Sequence, residues 1–238
     1  MKNKIISWIK QKVKAAGAKG IVLGLSGGID SAVVAALSKQ AVGKARVLAL
    51  FMPCNSHPQD LAHAKLVARK LGLKSKLVDL SKVYNDFLKI LPPAGSLARS
   101  NLKPRLRMCT LYYFANKLNY LVCGTGNKSE LMVGYFTKYG DGGVDILPIA
   151  DLFKRQVRQL ARELKIPEEV IIKPPTAGLW HGQTDEGEMG ITYNDLDGIL
   201  DRFCNHKQQI AAVKTVNKVT RMYKQSEHKR KGAEICKI

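Results

Sequence analysis

The sequence has no Cys-x-x-Cys pair, and its five cysteines are an odd number spread along the chain. A structural zinc site is therefore not indicated, and we expect free thiols that pack mostly as small apolar side chains. No segment approaches the roughly 20 consecutive apolar residues that a membrane-spanning helix needs. The N-terminus alternates lysine with apolar residues and lacks the continuous apolar core of a secretory signal. We expect a cytoplasmic protein that does not interact with membranes.

Acidic residues are scarce: 19 Asp and Glu stand against 39 Lys and Arg, which gives a formal net charge of +20. The segments 1–20 and 205–238 contribute +6 and +7, so the two ends carry 13 of the 20 excess charges. Such a charge attracts polyanions, either nucleotides or a nucleic acid. A solvated basic surface with no single partner explains the composition equally well, so charge alone does not decide between them.

Short apolar runs alternate with longer amphipathic ones along the 238 residues. Strands are predicted at 21–25, 46–52, 76–80, 120–125 and 145–149. Helices are predicted at 31–41, 59–71, 81–91, 97–118 with an interruption at Pro104, 151–164 and 192–203, and the two basic ends are also expected to be helical. This alternation predicts an α/β fold: a doubly wound, mostly parallel five-stranded sheet with helices on both faces. Ligands of such sheets bind at the carboxyl ends of the strands.

The run Ser26-Gly27-Gly28-Ile29-Asp30-Ser31 lies between the first predicted strand and the first helix after it. Adjacent glycines permit a tight turn, and the helix that follows directs its N–H groups at an anion. The pattern is neither the Walker loop nor GxGxxG. An acid inside an anion site is explained if Mg²⁺ lies between Asp30 and a polyphosphate. The run GLSGGIDS resembles the loop of the ATP pyrophosphatase families, which split ATP between its α and β phosphates.

A second cluster of polar residues follows the strand predicted at 120–125. Glu130 lies on the first turn of a predicted helix, where it is either a second carboxylate for the same Mg²⁺ or an ordinary acid at a helix N-terminus. Residues 135–145 then join aromatics, a lysine, three glycines and two acids. A plain loop would need the glycines but not the lysine and the acids together, so this run indicates a binding site.

The run FTKYGDGG, after SGGIDS and GTxxxxE, resembles the ammonia-dependent NAD synthetase family. Lys154 in FKRQ, Thr176 in PPTA, the His-Lys pair at 228–229 and the arginine segment NLKPRLRM at 101–108 extend the resemblance, which covers about residues 20–230 in the same order. The resemblance implies an adenine nucleotide alpha-hydrolase-like fold and a homodimer in which the dinucleotide site is shared between subunits. It also implies ATP as a co-substrate and Mg²⁺ as a cofactor.

The resemblance further implies three sets of binding residues. The ATP site would be formed by Gly24, Leu25, Ser26, Gly27, Gly28, Ile29, Asp30, Ser31, Thr125, Lys154 and Thr176. The deamido-NAD site would be formed by Arg105, Lys138, Asp145, His228 and Lys229, and the metal site by Asp30 and Glu130. For Asp145 an alternative is open, an acid at the start of a strand that only satisfies a turn. The implied reaction is amidation of deamido-NAD by ammonia through an adenylated carboxylate, giving NAD, AMP and pyrophosphate.

The segment 174–190 is rich in glycine and has no period, so we predict a loop that closes over the site. The strand at 21–25 leaves no room before it for the glutaminase domain of glutamine-using relatives. We therefore expect one synthetase domain over residues 1–238 and free ammonia as the nitrogen donor.

Two rival functions remain open at the level of sequence. A tRNA-modifying ATP pyrophosphatase fits the positive charge. However, thiolation usually needs a cysteine pair, and FTKYGDGG has no place in it, so we expect no nucleic-acid partner. A non-catalytic nucleotide-binding protein is disfavoured because Asp30, Glu130 and Lys154 are all present.

Overall fold

The computed structural model describes residues 1–180, 182–205 and 213–237. Its centre is a sheet of four parallel strands in the order β3-β2-β1-β4. The strands are β1 (Gly20–Gly24), β2 (Val47–Phe51), β3 (Lys74–Leu77) and β4 (Tyr120–Val122). The two central strands are apolar on both faces, as parallel strands covered by helices must be.

Thirteen α-helices occur in the described residues. In chain order they are α1 (Lys2–Ala15), α2 (Ile29–Val42), α3 (Pro58–Leu71), α4 (Ser81–Ile90), α5 (Ser96–Ser100), α6 (Leu102–Leu118), α7 (Lys128–Val133), α8 (Lys154–Glu163), α9 (Glu168–Ile171), α10 (Asp185–Met189), α11 (Tyr193–Cys204), α12 (Val213–Gln225) and α13 (Glu227–Arg230). No helix of the described part of the chain is long and apolar enough to cross a membrane.

The helices form a layer on each face of the sheet. Ile21 and Leu23 of β1 pack into a core with α1, α2, α3, α8 and α9. Val22, between them in sequence, faces the opposite core, to which α4 and α6 contribute. A third apolar cluster joins α7, α10, α11 and α12. The doubly wound α/β class is thus confirmed, with both faces of the sheet covered.

The prediction of a fifth strand at 145–149 is wrong. That segment makes one isolated bridge, between Cys123 and Ile146, and the sheet in the described residues has four strands. Pro148 has no N–H to donate to a ladder. The chain also turns at this point, because Ala150 N donates to Leu147 O (3.3 Å). The apolar pattern of the segment reflects burial of Ile146 and Ile149 and not strand pairing.

The starts of α6 and α11 have clear physical causes. The break predicted at Pro104 lies at Asn101, between α5 and α6. Pro104 is the third residue of α6, where its missing N–H has no intrahelical partner to lose. The helix predicted at 192–203 is present as α11, and Thr192 caps it, since Thr192 Oγ1 accepts from Asp195 N at 3.1 Å. The basic ends are helical in α1, α12 and α13, while residues 206–212 and 238 lie outside the described residues.

Candidate active site

The turn between β1 and α2 is ordered by its own serines. Ser31 Oγ donates to Gly28 O at 2.9 Å and accepts from Ser26 N at 3.2 Å, and Ser26 Oγ accepts from Gly28 N at 3.2 Å. Gly27 has a φ of +81°, and a Cβ there would lie 2.3 Å from Asp60 O, so only glycine fits. The turn brings the N-terminus of α2, with its unpaired N–H groups and positive dipole end, to the edge of the sheet.

A buried ion cluster lies beside this turn. Lys154 Nζ is 2.6 Å from Asp30 Oδ2 and 3.1 Å from Glu130 Oε1, and Lys154 is only 2% exposed. The three residues come from the first turns of α8, α2 and α7, so three helix N-termini converge here. A buried ammonium is tolerated only with such partners, because unpaired burial of a charge costs several kcal/mol.

Glu130 serves its own helix as well as the cluster. Its Oε2 accepts from Asn127 N at 3.2 Å, while Asn127 Oδ1 accepts from Glu130 N at 3.1 Å, which is a capping box. Asn127 Nδ2 also donates to Asp30 Oδ1 at 2.9 Å. One oxygen of Glu130 thus caps α7, as expected of an acid at a helix N-terminus, and the other faces Lys154. Its role as a ligand of Mg²⁺ stays a prediction.

Burial and charge shift the pKa values of this cluster. Burial raises the pKa of Glu130 above its usual range, although Lys154 opposes the shift. Burial alone would lower the pKa of Lys154, but the carboxylates of Asp30 and Glu130 outweigh it and raise that pKa. The ammonium therefore keeps its proton at neutral pH and remains a positive charge next to the turn of residues 26–31, which we call the phosphate turn.

A cavity of about 530 Å³ opens over the turn at the carboxyl ends of the strands. Its walls come from the phosphate turn, α6, the loop 134–144 and the segment 173–188. Ten of the eleven residues predicted for ATP line it, with Gly27 as the exception, and so do Glu130 and Lys229. The structure therefore brings the predicted ATP and metal residues together around one space.

The other residues predicted for deamido-NAD lie outside the described lining of this cavity. Arg105 is exposed, with its guanidinium 3.5 Å from Lys138 O, and Lys138 Nζ donates to His228 O at 2.5 Å. These three residues are linked in a row along the surface, which we call the basic surface chain. Lys229, next to His228, points inward and donates to Gly134 O (2.8 Å) and Phe136 O (3.0 Å). Arg105, Lys138, His228 and Lys229 are thus contiguous, but of the predicted set only Lys229 reaches the cavity wall.

Asp145 is engaged by protein donors on both oxygens. Oδ2 accepts from Val122 N at 2.7 Å, and Oδ1 accepts from the Tyr112 hydroxyl at 3.0 Å. These bonds hold the segment after Gly143 against the end of β4, which is a structural role, although the strand predicted to begin at Asp145 does not form in the described residues. Its contact with deamido-NAD stays a prediction.

Several cavity residues were not identified as site residues from the sequence. Arg107 donates to Met52 O at 3.0 Å and to Ser56 Oγ at 3.2 Å, and Asp141 accepts from Thr137 N at 2.9 Å. Both lie in runs that the sequence does single out, and helical spacing could have shown that Arg105 and Arg107 cannot share a face. Asp185 also lies in a segment that the sequence singles out, 174–190, but its bond with Tyr135 joins residues 50 positions apart, so no spacing rule indicates it.

The fold and the site together define an α/β protein that binds a nucleotide at the carboxyl ends of its strands. The NAD synthase family model matches residues 1–233. The chain is 48% identical to an NH(3)-dependent NAD(+) synthetase of Carboxydothermus hydrogenoformans, over 98% of this chain and 95% of that one. It belongs to the NAD synthase family.

Solved structures agree with this assignment. An NMN synthetase from Francisella tularensis superposes with a TM-score of 0.91 at 36% identity, covering 100% of this chain and 97% of that one. An NH3-dependent NAD synthetase from Campylobacter jejuni, in complex with the nitrate ion, gives a TM-score of 0.87 at 31% identity, with 99% and 97% covered. The family resemblance of the motifs is thereby confirmed over the whole fold.

Proposed function

We infer that this protein is an ammonia-dependent NAD synthetase, which uses ATP to amidate deamido-NAD and releases AMP and pyrophosphate. The observation that carries this inference is the buried Asp30–Lys154–Glu130 cluster beside the phosphate turn, in a chain of the NAD synthase family. Relatives that are 47–48% identical over 96–99% of the chain are named NH(3)-dependent NAD(+) synthetase. A tRNA-modifying function has no relative among these matches to support it.

A carboxylate is a poor acyl donor, so the deamido-NAD carboxylate must first be activated. It attacks the α-phosphorus of ATP, the bond to pyrophosphate breaks, and a mixed anhydride with AMP forms. Ammonia then attacks the acyl carbon, AMP leaves with the bonding electrons, and a proton is released. The N–H groups at the start of α2 and the Lys154 ammonium stabilise the charge that develops on the phosphates. No nucleophilic protein side chain is needed.

Asp30 and Glu130 each have an oxygen within 3.1 Å of Lys154 Nζ, so the two carboxylates lie close enough together to share one Mg²⁺. No group of three or more His, Cys, Asp or Glu in the described residues is arranged to hold a metal. Two carboxylates with phosphate oxygens and water are, however, the usual ligands of Mg²⁺. The ion would offset the charge of the triphosphate, and the two carboxylates would hold it beside the turn.

We assign the basic surface chain of Arg105, Lys138 and His228, together with Lys229, to deamido-NAD, whose pyrophosphate is an anion. These exposed basic residues form an enclosed site only if a second subunit covers them, so we also propose a homodimer. Exposed apolar side chains on α4 and α5 support a subunit interface: Val83 is 53%, Ile90 75% and Leu97 66% exposed.

We further propose that residues 1–238 act as one synthetase domain in the cytoplasm, with free ammonia as the nitrogen donor. The support is the family model, which spans residues 1–233, and the 95% coverage of a relative named for NH3. Asp145 either contacts deamido-NAD directly or holds the wall of the deamido-NAD site in place.

The test is NAD formation by the purified protein, followed with an NAD-specific dehydrogenase. Deamido-NAD, ATP and ammonium together should give NAD, and glutamine should not replace ammonium. Nicotinate mononucleotide is a necessary comparison, followed by pyrophosphate release because its product is not NAD, since the Francisella neighbour is named an NMN synthetase. Turnover of the mononucleotide with none of deamido-NAD would move the substrate assignment, and turnover of neither would remove the function.

A further inference from the structure

Tyr193, the first residue of α11, contacts two members of the ion cluster, Glu130 and Lys154. Its hydroxyl lies 3.2 Å from Glu130 Oε1 and 3.0 Å from Asp185 Oδ2. Its ring centroid lies 4.8 Å from Lys154 Nζ, within the range of a cation–π contact. One side chain thus contacts both Glu130 and Lys154 and also a residue of α10.

The position of Tyr193 is fixed by the surrounding structure. The side chain is 0% exposed and packs in the apolar cluster of α7, α10, α11 and α12. Its backbone N–H donates to Glu186 Oε1 at 2.8 Å, which ties the start of α11 to α10. The hydroxyl has one donor proton and lies within hydrogen-bond distance of two carboxylate oxygens, Glu130 Oε1 and Asp185 Oδ2.

Asp185 connects this hydroxyl to the cavity wall. Its Oδ1 accepts from the Tyr135 hydroxyl at 3.1 Å, and the same hydroxyl lies 2.7 Å from Glu188 Oε2. The segment 174–190, which supplies Thr176 to the predicted ATP site, is therefore joined through Asp185 and Tyr193 to Glu130. A shift of α10 would be transmitted to a carboxylate of the ion cluster.

We propose that Tyr193 is a positioning residue for NAD synthesis, which holds Glu130 and Lys154 in place against the phosphate turn, and that Asp185 acts through it. The inference rests on the proposed function of Lys154 and Glu130. The ring supports the ammonium from one side, and the hydroxyl restricts Glu130 Oε1. Neither group touches a substrate in this account, so Tyr193 should influence turnover and ATP binding without influencing recognition of deamido-NAD.

The test compares Tyr193→Phe with Thr192→Ala. Tyr193→Phe removes only the hydroxyl. Thr192→Ala removes the cap of the same helix, and the Thr192 side chain bonds Asp195 and not the cluster. We expect kcat of Tyr193→Phe to fall roughly 10-fold or more, as when a hydrogen bond to a charged group is lost. KM for deamido-NAD should stay within about twofold, and calorimetry should show a weaker Kd for ATP. Thr192→Ala should lower Tm and leave kcat and Kd unchanged.

Asp185→Asn is the second variant, because it preserves shape and reports on the link even if Tyr193→Phe folds poorly. It should lower kcat in the same direction and less strongly. If the wild type makes NAD while Tyr193→Phe and Asp185→Asn match it in kcat and in Kd for ATP, Tyr193 only packs and the inference is overturned. If the wild type makes no NAD, the proposed function fails first, so the two failures are distinguishable.

Discussion

Lys154 is a buried ammonium whose position depends on two carboxylates from different helices. Removing one partner of a buried ion pair lowers the free energy of unfolding by more than an exposed ion pair contributes, because the remaining charge stays desolvated. Lys154 retains Glu130 when Asp30 is neutralised, so the fold should tolerate that change. The catalytic contribution of Asp30 can therefore be separated from its contribution to stability.

Asp30→Asn should lower kcat by roughly 100-fold or more, the size of effect seen when a group that stabilises transition-state charge is lost. Steady-state kinetics at saturating and limiting Mg²⁺ measure it, with circular dichroism to check the fold. Asp151→Asn is the control, because Asp151 pairs with Lys128 on the surface and is almost fully exposed. An Asp30→Asn enzyme with wild-type turnover at limiting Mg²⁺ would remove Asp30 from the metal site.

Asp145→Asn separates the two roles open for that residue. The amide of asparagine can replace only one of the two acceptor oxygens that Val122 N and the Tyr112 hydroxyl use. We expect a loss of about 1–3 kcal/mol in the free energy of unfolding, or several degrees in Tm. A rise in KM for deamido-NAD at constant KM for ATP would show that Asp145 binds substrate as well. An unchanged Tm would contradict the structural role.

The elements around the cavity differ in how far the sequence predicts them. The turn 26–31 and the cap of α11 are local patterns, and both were predictable because neighbouring residues satisfy each other. The segment 145–149 was predicted wrongly, since buried apolar residues look alike in a strand and in a packed loop. The contacts of Tyr193 with Glu130 and Lys154 join residues far apart in sequence, so no spacing rule indicates them.

The segment 174–190 belongs to the cavity wall, but it is not all loop as predicted, because residues 185–189 form α10, in which Asp185 and Met189 are buried. Lys103 Nζ donates to Leu179 O at 2.6 Å, and Trp180 is 43% exposed. Limited proteolysis should therefore cut near residues 180–188 in the ligand-free protein. ATP with deamido-NAD should protect this region, because closure over the nucleotide buries it. Equal cleavage with and without both ligands would count against a lid.

At the scale of the whole molecule, the motifs predict the chemistry better than they predict the assembly. The ATP residues converge on one cavity within a single chain, but most residues assigned to deamido-NAD lie on its surface. A site of this kind is completed by a neighbouring subunit or by movement of the surface chain toward the cavity. No pattern within one sequence tells these apart, because the relevant contacts lie between chains.

Sedimentation equilibrium tests the proposed homodimer. The wild type should sediment at about twice the chain mass of 26.3 kDa. Ile90→Lys, on the exposed apolar side of α4, should weaken the dimer and raise KM for deamido-NAD. Ile235→Lys is the matched control, since Ile235 is 84% exposed beyond α13. A monomeric wild type with full activity would contradict the shared site.

In the proposed reaction this site adenylates the nicotinate carboxylate of deamido-NAD and transfers the acyl group to ammonia. Pyrophosphate release from ATP tests it most directly, measured with each substrate omitted in turn. The account predicts one pyrophosphate and one AMP per NAD formed, with release that requires deamido-NAD and stable turnover that requires ammonium. Release of inorganic phosphate and ADP instead, or pyrophosphate release that depends on tRNA and not on deamido-NAD, would contradict it.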